Sequence, residues 1–493
     1  MKKLFAVFAS ITALLLASLL PAQASQIWTL QKFQQQSLNW KACDQGFYCA
    51  SYQVPVDYNH IDSNTFTLQV LKHPANTPTK KIGTLILNPG GPGGSGVDYA
   101  YNADTDVSKS IENVYDLVGF DPRGVNLSQP IRCLNDKQED DFLSNNGTVQ
   151  SQADLSGAIA SSQMIAKACA QAAGNRLGHY STLETAKDME ILRILLHEPL
   201  LNYLGKSYGT YLGTLYAALY PLTTGKIVLD GAVDPNVPIR DQNLVQAVGF
   251  DSALKSFISA SSTISLKNIQ DFLRKSRTKP LQNMHGRSLT ESLVITSIAA
   301  SLYDPEQGWP ELTKSLTEAF NGNNPTGLFA LADSYNERDD AGHYVSNQTD
   351  IAEVISCLDF SDTRSIAALQ KDAPNFTKAA PIFGPYLAYS GLPCHFWKAS
   401  AVTPPLMRNL KTNPLLIIGT TRDPATPYQW AQGLRKDFLN STLITLNGDG
   451  HTGANRGSSC VDNAMNTYLL TGKVPFKDLI CELDPKKVAV TNA

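Results

Sequence analysis

The chain has 493 residues, 43% of them hydrophobic and 17% charged, and 41 Lys and Arg stand against 44 Asp and Glu for a net charge of −3. At about 100–200 residues per domain, this length holds a few units or one large domain with an insertion, and the apolar content excludes a disordered or fibrous chain. With no basic excess to neutralise phosphates, the composition also argues against a nucleic-acid partner.

Met1-Lys2-Lys3 is a short positive segment, Leu4 to Leu20 is an apolar run, and Pro21-Ala22-Gln23-Ala24 supplies a helix breaker and small residues at the A-x-A positions. This is the pattern of a secretory signal peptide, residues 1–24, cut after Ala24. Its apolar run is short for a membrane span, and no later stretch reaches about 18 uninterrupted apolar residues. A secreted or periplasmic protein, not inserted in a membrane after cleavage, is therefore expected.

Past the leader, Tyr48–Val56 and Thr65–Val70 alternate apolar and polar residues as an antiparallel hairpin at a sheet edge would. Short apolar runs follow at Gly83–Leu87, Tyr115–Phe120, Leu201–Leu204, Ile227–Leu229, Leu415–Ile418 and Thr442–Leu446. Runs of this length suit strands buried on both faces, as in a parallel sheet. Helical periodicity marks Leu155–Ala173, Thr185–Leu196 and the stretch after Ser207. Strand and helix alternate, which predicts an α/β fold.

Between Asp234 and Pro405 that rhythm stops. Leu244–Ile258, Leu289–Leu302 and Ile351–Leu358 read as helices, and no strand pattern stands out. The predicted organisation is a core in two parts, 25–234 and 406–493, interrupted by a helical cap at 235–405. The eight cysteines fall as successive close pairs, Cys43 with Cys49, Cys133 with Cys169, Cys357 with Cys394 and Cys460 with Cys481. Local disulfides in that pairing, made in an oxidising compartment, are the expectation. No C-x-x-C or H-E-x-x-H spacing occurs, so no metal site is expected.

Gly205-Lys206-Ser207-Tyr208-Gly209 matches G-x-S-x-G between a predicted strand and a predicted helix. Such a turn lifts the Ser hydroxyl out of the sheet beside the free N–H groups of a helix start, and needs glycine on both flanks. A hydroxyl becomes a nucleophile only with a base to take its proton. Of the eight histidines, His451 alone follows a late strand in a Gly-rich loop, with His395 as the rival. The base needs a carboxylate to fix its tautomer. Asp423, just past Leu415–Ile418, gives the order Ser, Asp, His expected of this turn type, with Asp234 second and Asp449 too close in sequence to His451.

Backbone donors for an oxyanion are expected at Tyr208, which follows the serine, and at Gly91 in the NPGGPGGSG run from Asn88. The same run contains a formal G-x-G-x-x-G, but Pro92 interrupts it and the match is lone, so no nicotinamide cofactor, and no cofactor at all, is expected.

Taken together, these stretches resemble the α/β-hydrolase superfamily, and more narrowly the secreted tripeptidyl aminopeptidases of the proline-iminopeptidase-like serine peptidases. The matching segments also include GFDPRG from Gly119, VLDGAVDP from Val228, DPATP from Asp423 and GDGHTG from Gly448. The resemblance implies an α/β-hydrolase fold, a mostly parallel sheet flanked by helices, with the cap inserted after Ile227–Leu229. It implies Ser207, Asp423 and His451 as the triad, and a peptide substrate cut from its free N-terminus. It further implies cap carboxylates that hold the substrate ammonium, for which Asp359 and Glu353 are the candidates. Asp121 and Arg123 in the DPRG turn read as structural, Arg123 tying loops together. An esterase or lipase could use the same triad, and a cap-bearing binding module would be expected to have lost a catalytic position, which this chain has not. No oligomeric state follows from the sequence.

Overall fold

The computed structural model describes residues 29–145, 148–360, 362–405 and 407–485. The leader and its cleavage point lie outside the described residues. Among the described residues the main sheet has ten strands: β1 (Lys41–Asp44), β2 (Phe47–Pro55), β3 (Thr65–His73), β4 (Gly83–Asn88), β5 (Tyr115–Phe120), β6 (Leu201–Lys206), β7 (Thr224–Asp230), β10 (Leu415–Arg422), β11 (Ser441–Asp449) and β12 (Leu479–Glu482). A separate two-stranded ribbon, β8 (Leu281–Gln282) with β9 (Ser288–Leu289), lies between β7 and β10. The spatial order is β1-β2-β3-β5-β4-β6-β7-β10-β11-β12. From β5 through β12 every neighbouring pair is parallel, whereas β1, β2 and β3 join antiparallel at one edge.

The parallel strands are apolar on both faces because both faces are covered. Along β4, Leu85 and Leu87 pack into one cluster with Leu204, Val228 and Ile418, while Ile86 packs into the other with Val118, Tyr203 and Ile227. Helices on each side complete these two layers, and side-chain caps start several of them. Ser151 accepts from Asp154 N at the helix Gln152–Ala173, and Ser181 from Glu184 N at Thr182–Leu195.

All six predicted parallel runs are strands, and the hairpin is present at the edge. The interval read as wholly helical does contain the β8–β9 ribbon, whose two-residue strands are too short to show an alternation. Two strands of the main sheet also went unread. β1 is four exposed residues without apolar alternation, held to β2 by the Cys43–Cys49 disulfide. β12 is a short edge strand that, among the described residues, pairs with β11 alone. The other disulfides are Cys133–Cys169, Cys357–Cys394 and Cys460–Cys481, the pairing expected from the spacing.

The helices between β7 and β10 divide between two cores. Ile239–Ala260, Leu266–Thr278, Glu291–Leu302, Gly308–Gly322 and Thr326–Tyr335 enclose a cluster of their own around Phe257, Leu293, Ile298 and Leu316. The helix Gln348–Asp359 instead buries Ile351, Val354, Ile355 and Leu358 in the main core. It lies over the loop after β4, since a Cβ at Gly93 would come within 2.7 Å of Ile351 Cγ2.

The DPRG turn is structural, as expected. Arg123 is fully buried, donating to Asp188 through Nε at 2.8 Å and Nη2 at 2.6 Å, and to the carbonyls of Pro55, Val56 and His179. Asp121 accepts from Ser95 Oγ at 2.6 Å and Val97 N at 3.1 Å, fixing the helix that follows the Gly-rich loop. Arg123→Met should leave Asp188 as an uncompensated buried charge and cost about 3–5 kcal/mol, read as a lowered denaturation midpoint.

Candidate active site

The sheet register brings the site together. Asn88 pairs with Gly205, Lys206 with Asp230, and Asp230 with Ile418. The loops leaving β4, β6, β7, β10 and β11 therefore emerge side by side at the carboxyl edge, and each carries one of the predicted residues or its support.

Ser207 sits at φ 54°, ψ −125° between β6 and the helix Tyr208–Leu219. A non-glycine residue held there costs on the order of 1–3 kcal/mol and persists only where its surroundings over-determine it. They do so here by close approach. A Cβ at Gly205 would lie 2.5 Å from Gly209 O, and one at Gly209 would lie 2.6 Å from Asn88 Oδ1. Only glycine fits on either side of the serine.

Asp423 is buried, and its carboxylate is fully engaged. Oδ1 accepts from Ala425 N at 2.9 Å and Thr426 N at 2.8 Å, while Oδ2 accepts from Thr426 Oγ1 and Thr452 N at 3.0 Å. His451 Nδ1 lies 3.0 and 3.1 Å from the two oxygens. The ring is thus held in the tautomer that carries its proton on Nδ1 and leaves Nε2 free as a base.

Asp230, at the end of β7, joins the serine to the histidine loop. Its carbonyl accepts Ser207 N at 2.9 Å, and its carboxylate accepts Gly453 N at 2.7 Å and Ala454 N at 3.0 Å. The next residue, Gly231, faces the ring, since a Cβ there would stand 3.4 Å from His451 Cε1. Ser207 and His451 therefore close on the same two-residue turn. Among the described residues no hydrogen bond joins Ser207 Oγ to the ring, a contact that free enzymes often leave long until substrate binds.

The rival residues are occupied elsewhere. Asp449 forms a two-point pair with Arg422 at 2.9 and 3.0 Å, and Asp234 accepts from Asn236 N. His395 packs edge-on against Phe396 in a short turn beside Cys394.

A cleft of about 250 Å³ opens over Ser207, lined by Gly91, Tyr208, Gln246, Tyr303, Phe360 and Trp430 among others. Among the described residues the N–H groups of Gly91 and Tyr208 donate to no protein acceptor, and both residues line this cleft. Tyr303, at the end of the helix Glu291–Leu302, sets its ring edge-on to His451 at 4.9 Å, and its carbonyl accepts His451 N at 2.9 Å. The helical interval between β7 and β10 thus touches His451 directly.

Glu353 and Asp359 both lie on the helix Gln348–Asp359 and are half-buried. Burial pushes each carboxyl up to about 7. Their surroundings differ. Glu353 has no hydrogen-bond partner among the described residues, and its helical spacing puts it on the face of Ser356 and Phe360, which line the cleft. Asp359 accepts Thr182 N at 3.1 Å on both oxygens and Thr182 Oγ1 on Oδ2.

Sequence reasoning missed Asp230, Thr426, Tyr303 and Thr182. The first two stand inside motifs that were singled out, within one to three residues of a named position. Tyr303 and Thr182 had no local signal, because their roles come from contacts across more than a hundred residues of chain.

Known proteins resemble this chain along most of its length. Serine protease Hip1 of Mycobacterium tuberculosis is 32% identical over 462 residues, covering 88% of this chain and 87% of that protein. The tripeptidyl aminopeptidase of Streptomyces lividans is 30% identical over 477 residues, covering 90% and 86%. A protein named carboxylesterase B, also from M. tuberculosis, is 32% identical over 456 residues, covering 88% and 86%. The family described as TAP-like protein matches residues 380–481. With this sheet, this elbow and these relatives, the chain belongs to the tripeptidyl-aminopeptidase-like serine hydrolases of the α/β-hydrolase superfamily.

Proposed function

We propose that this enzyme is an exported serine exopeptidase that releases short peptides from free N-termini. In this reading Ser207 Oγ attacks the scissile carbonyl carbon while His451 Nε2 takes its proton. The N–H groups of Gly91 and Tyr208 hold the oxyanion. His451 returns the proton to the leaving amine, and a water activated by the same ring hydrolyses the acyl-enzyme. Asp423 stabilises the imidazolium formed in each half. Residues 235–405 act as the cap that closes the site.

The observation that carries the peptidase reading is Glu353, a half-buried carboxylate without a protein partner on the helix face that lines the cleft. An unpaired carboxyl in such a place suits a substrate ammonium, whose pairing would set how many residues fit before the scissile bond. The polar lining contributed by Gln242, Asn243 and Gln246 suits a peptide backbone better than a long acyl chain. Relatives named serine protease and tripeptidyl aminopeptidase agree with this reading, and the one named carboxylesterase B keeps esterase activity as the contrast to test. Export rests on the leader pattern and on four disulfides, which persist in oxidising compartments. Among the described residues no helix is long and apolar enough to cross a membrane.

The test is a panel of free and N-acetylated di-, tri- and tetrapeptide anilides beside p-nitrophenyl esters. Free tripeptides should exceed their acetylated forms by about 10²-fold in kcat/KM, the scale of a desolvated charge pair. Equal turnover of the two would exclude the aminopeptidase reading, and esters alone being cleaved would leave an esterase.

The pH dependence gives a second check. A carboxyl titrating near 7 is neutral below that pH, while a peptide α-amino group stays charged to about pH 8. Glu353→Gln should therefore raise the KM for free tripeptides about tenfold at pH 8 and hardly at all at pH 6. A KM ratio that does not change with pH would remove Glu353 from the ammonium site.

A further inference from the structure

Two backbone donors on separate loops must stand at a fixed spacing to grip one oxyanion. One follows Ser207 at the start of a helix, and the other lies in a loop after β4. The helix Gln348–Asp359 reaches toward both, one through Gly93 and the other through Thr182. Near its first turn, Ile351 Cγ2 and Gln348 O would stand 2.7 and 3.3 Å from a Cβ at Gly93, two residues past Gly91. At its last turn, Asp359 reaches Thr182, whose hydroxyl is hydrogen-bonded in turn to Tyr208 Oη. The residue after Asp359 adds a second grip, since Phe360 packs against Tyr211 with ring centroids 4.8 Å apart. The Cys357–Cys394 disulfide ties this end of the helix to the turn at Pro393–Phe396.

We infer that Asp359 is a positioning residue of the oxyanion hole, fixing the Tyr208 side chain through Thr182 and thereby the backbone N–H that follows the nucleophile. The inference rests on Ser207 being that nucleophile. Three observations carry it. Both oxygens of Asp359 are already used by Thr182, so the carboxylate is bound where Glu353 is free. Thr182 is fully buried and starts a helix, so its N–H needs an acceptor that only Asp359 provides among the described residues. Once Thr182 Oγ1 has donated to Asp359, its lone pairs are left to accept from Tyr208 Oη, which gives the chain a direction from the ring to the carboxylate.

A tyrosine fixed at both ends cannot turn about its Cα without moving its own N–H. The ring is held at Oη, and the backbone is held by the strained serine before it. The helix between Gln348 and Asp359 then works as a strut between the two oxyanion loops. The two carboxylates of this helix thus divide their work, one toward substrate and one toward the catalytic backbone.

The experiment uses the full-length enzyme carrying Asp359→Asn, Thr182→Val, Thr182→Ser or Tyr208→Phe, and the Thr182→Val/Tyr208→Phe pair. Each is assayed on a free tripeptide anilide and on p-nitrophenyl acetate, which has no ammonium. Misaligning a donor should cost less than the 10²–10³ of removing it, so kcat should fall about tenfold on both substrates. The tripeptide KM should stay within about twofold, Thr182→Ser should recover most of the rate, and the double variant should be no slower than the worse single one. A raised tripeptide KM in Asp359→Asn with unchanged ester turnover would overturn the proposal and make Asp359 an ammonium ligand. Additive losses in the double variant, or an unchanged kcat, would also overturn it. If Asp359→Asn does not fold, the cycle between Thr182 and Tyr208 decides alone. Fluorophosphonate labelling of the unmodified enzyme tests the reading beneath: no label on Ser207 would sink the serine mechanism itself, whatever the variants do.

Discussion

Ser207→Ala should give a folded protein with peptide turnover lowered by about 10⁶, the loss typical when a triad nucleophile is removed. The fold should survive because the strain at this position belongs to the backbone. Ser207 N–H donates to Asp230 O, and the flanking glycines fit against Gly209 O and Asn88. Neither contact uses the hydroxyl. Alanine tolerates φ 54° about as poorly as serine does, so the elbow should keep its shape and thermal stability should change little. The residual rate would come from the oxyanion donors and binding alone. Parallel labelling with a fluorophosphonate should mark the native enzyme once, at Ser207, and not the variant. Activity retained in the variant would mean a different nucleophile, and the whole mechanism would have to be rebuilt.

The second large effect is expected at Asp423. Asp423→Asn should lower kcat by about 10⁴ with substrate binding little changed. Five groups point at this carboxylate: the N–H groups of Ala425, Thr426 and Thr452, the Thr426 hydroxyl, and His451 Nδ1. An amide presents a donor where one oxygen stood, so at least one of these contacts becomes donor against donor. The ring relieves that clash by moving its proton to Nε2, which can then no longer accept from Ser207. The measurement is kcat and KM across pH, with a folded-state check by melting. Thr426→Val should be much milder, because Asp423 keeps its backbone donors and loses one hydroxyl. Equal losses in the two variants would show that the local packing, and not the tautomer, carries the effect.

The sequence was legible where chemistry and period coincide. Glycines at 205 and 209 are required by a backbone approach that leaves no space for a Cβ, so the elbow declares itself in five letters. The buried strands of the parallel sheet read as continuous apolar runs because helices cover both faces. The cysteines pair with near neighbours because each disulfide is local. β1 was silent because it is short, polar and exposed, with its place given by a disulfide and by β2.

The amino-acid sequence by itself determined the α/β class and pointed to Ser207, Asp423, His451 and the Gly-rich loop after β4, because each is written in residues adjacent along the chain or at a strand end. Only the tertiary structure decided what surrounds them. Sheet register sets Asp230 between the serine and the histidine loop, Tyr303 reaches His451 from the helices between β7 and β10, and Thr182 binds one of the two carboxylates that a single helix carries. Glu353 and Asp359 look alike in sequence, both acidic and six residues apart. What distinguishes them is whether a hydrogen-bond donor from a distant helix has already claimed the carboxylate, and that is a property of packing in three dimensions.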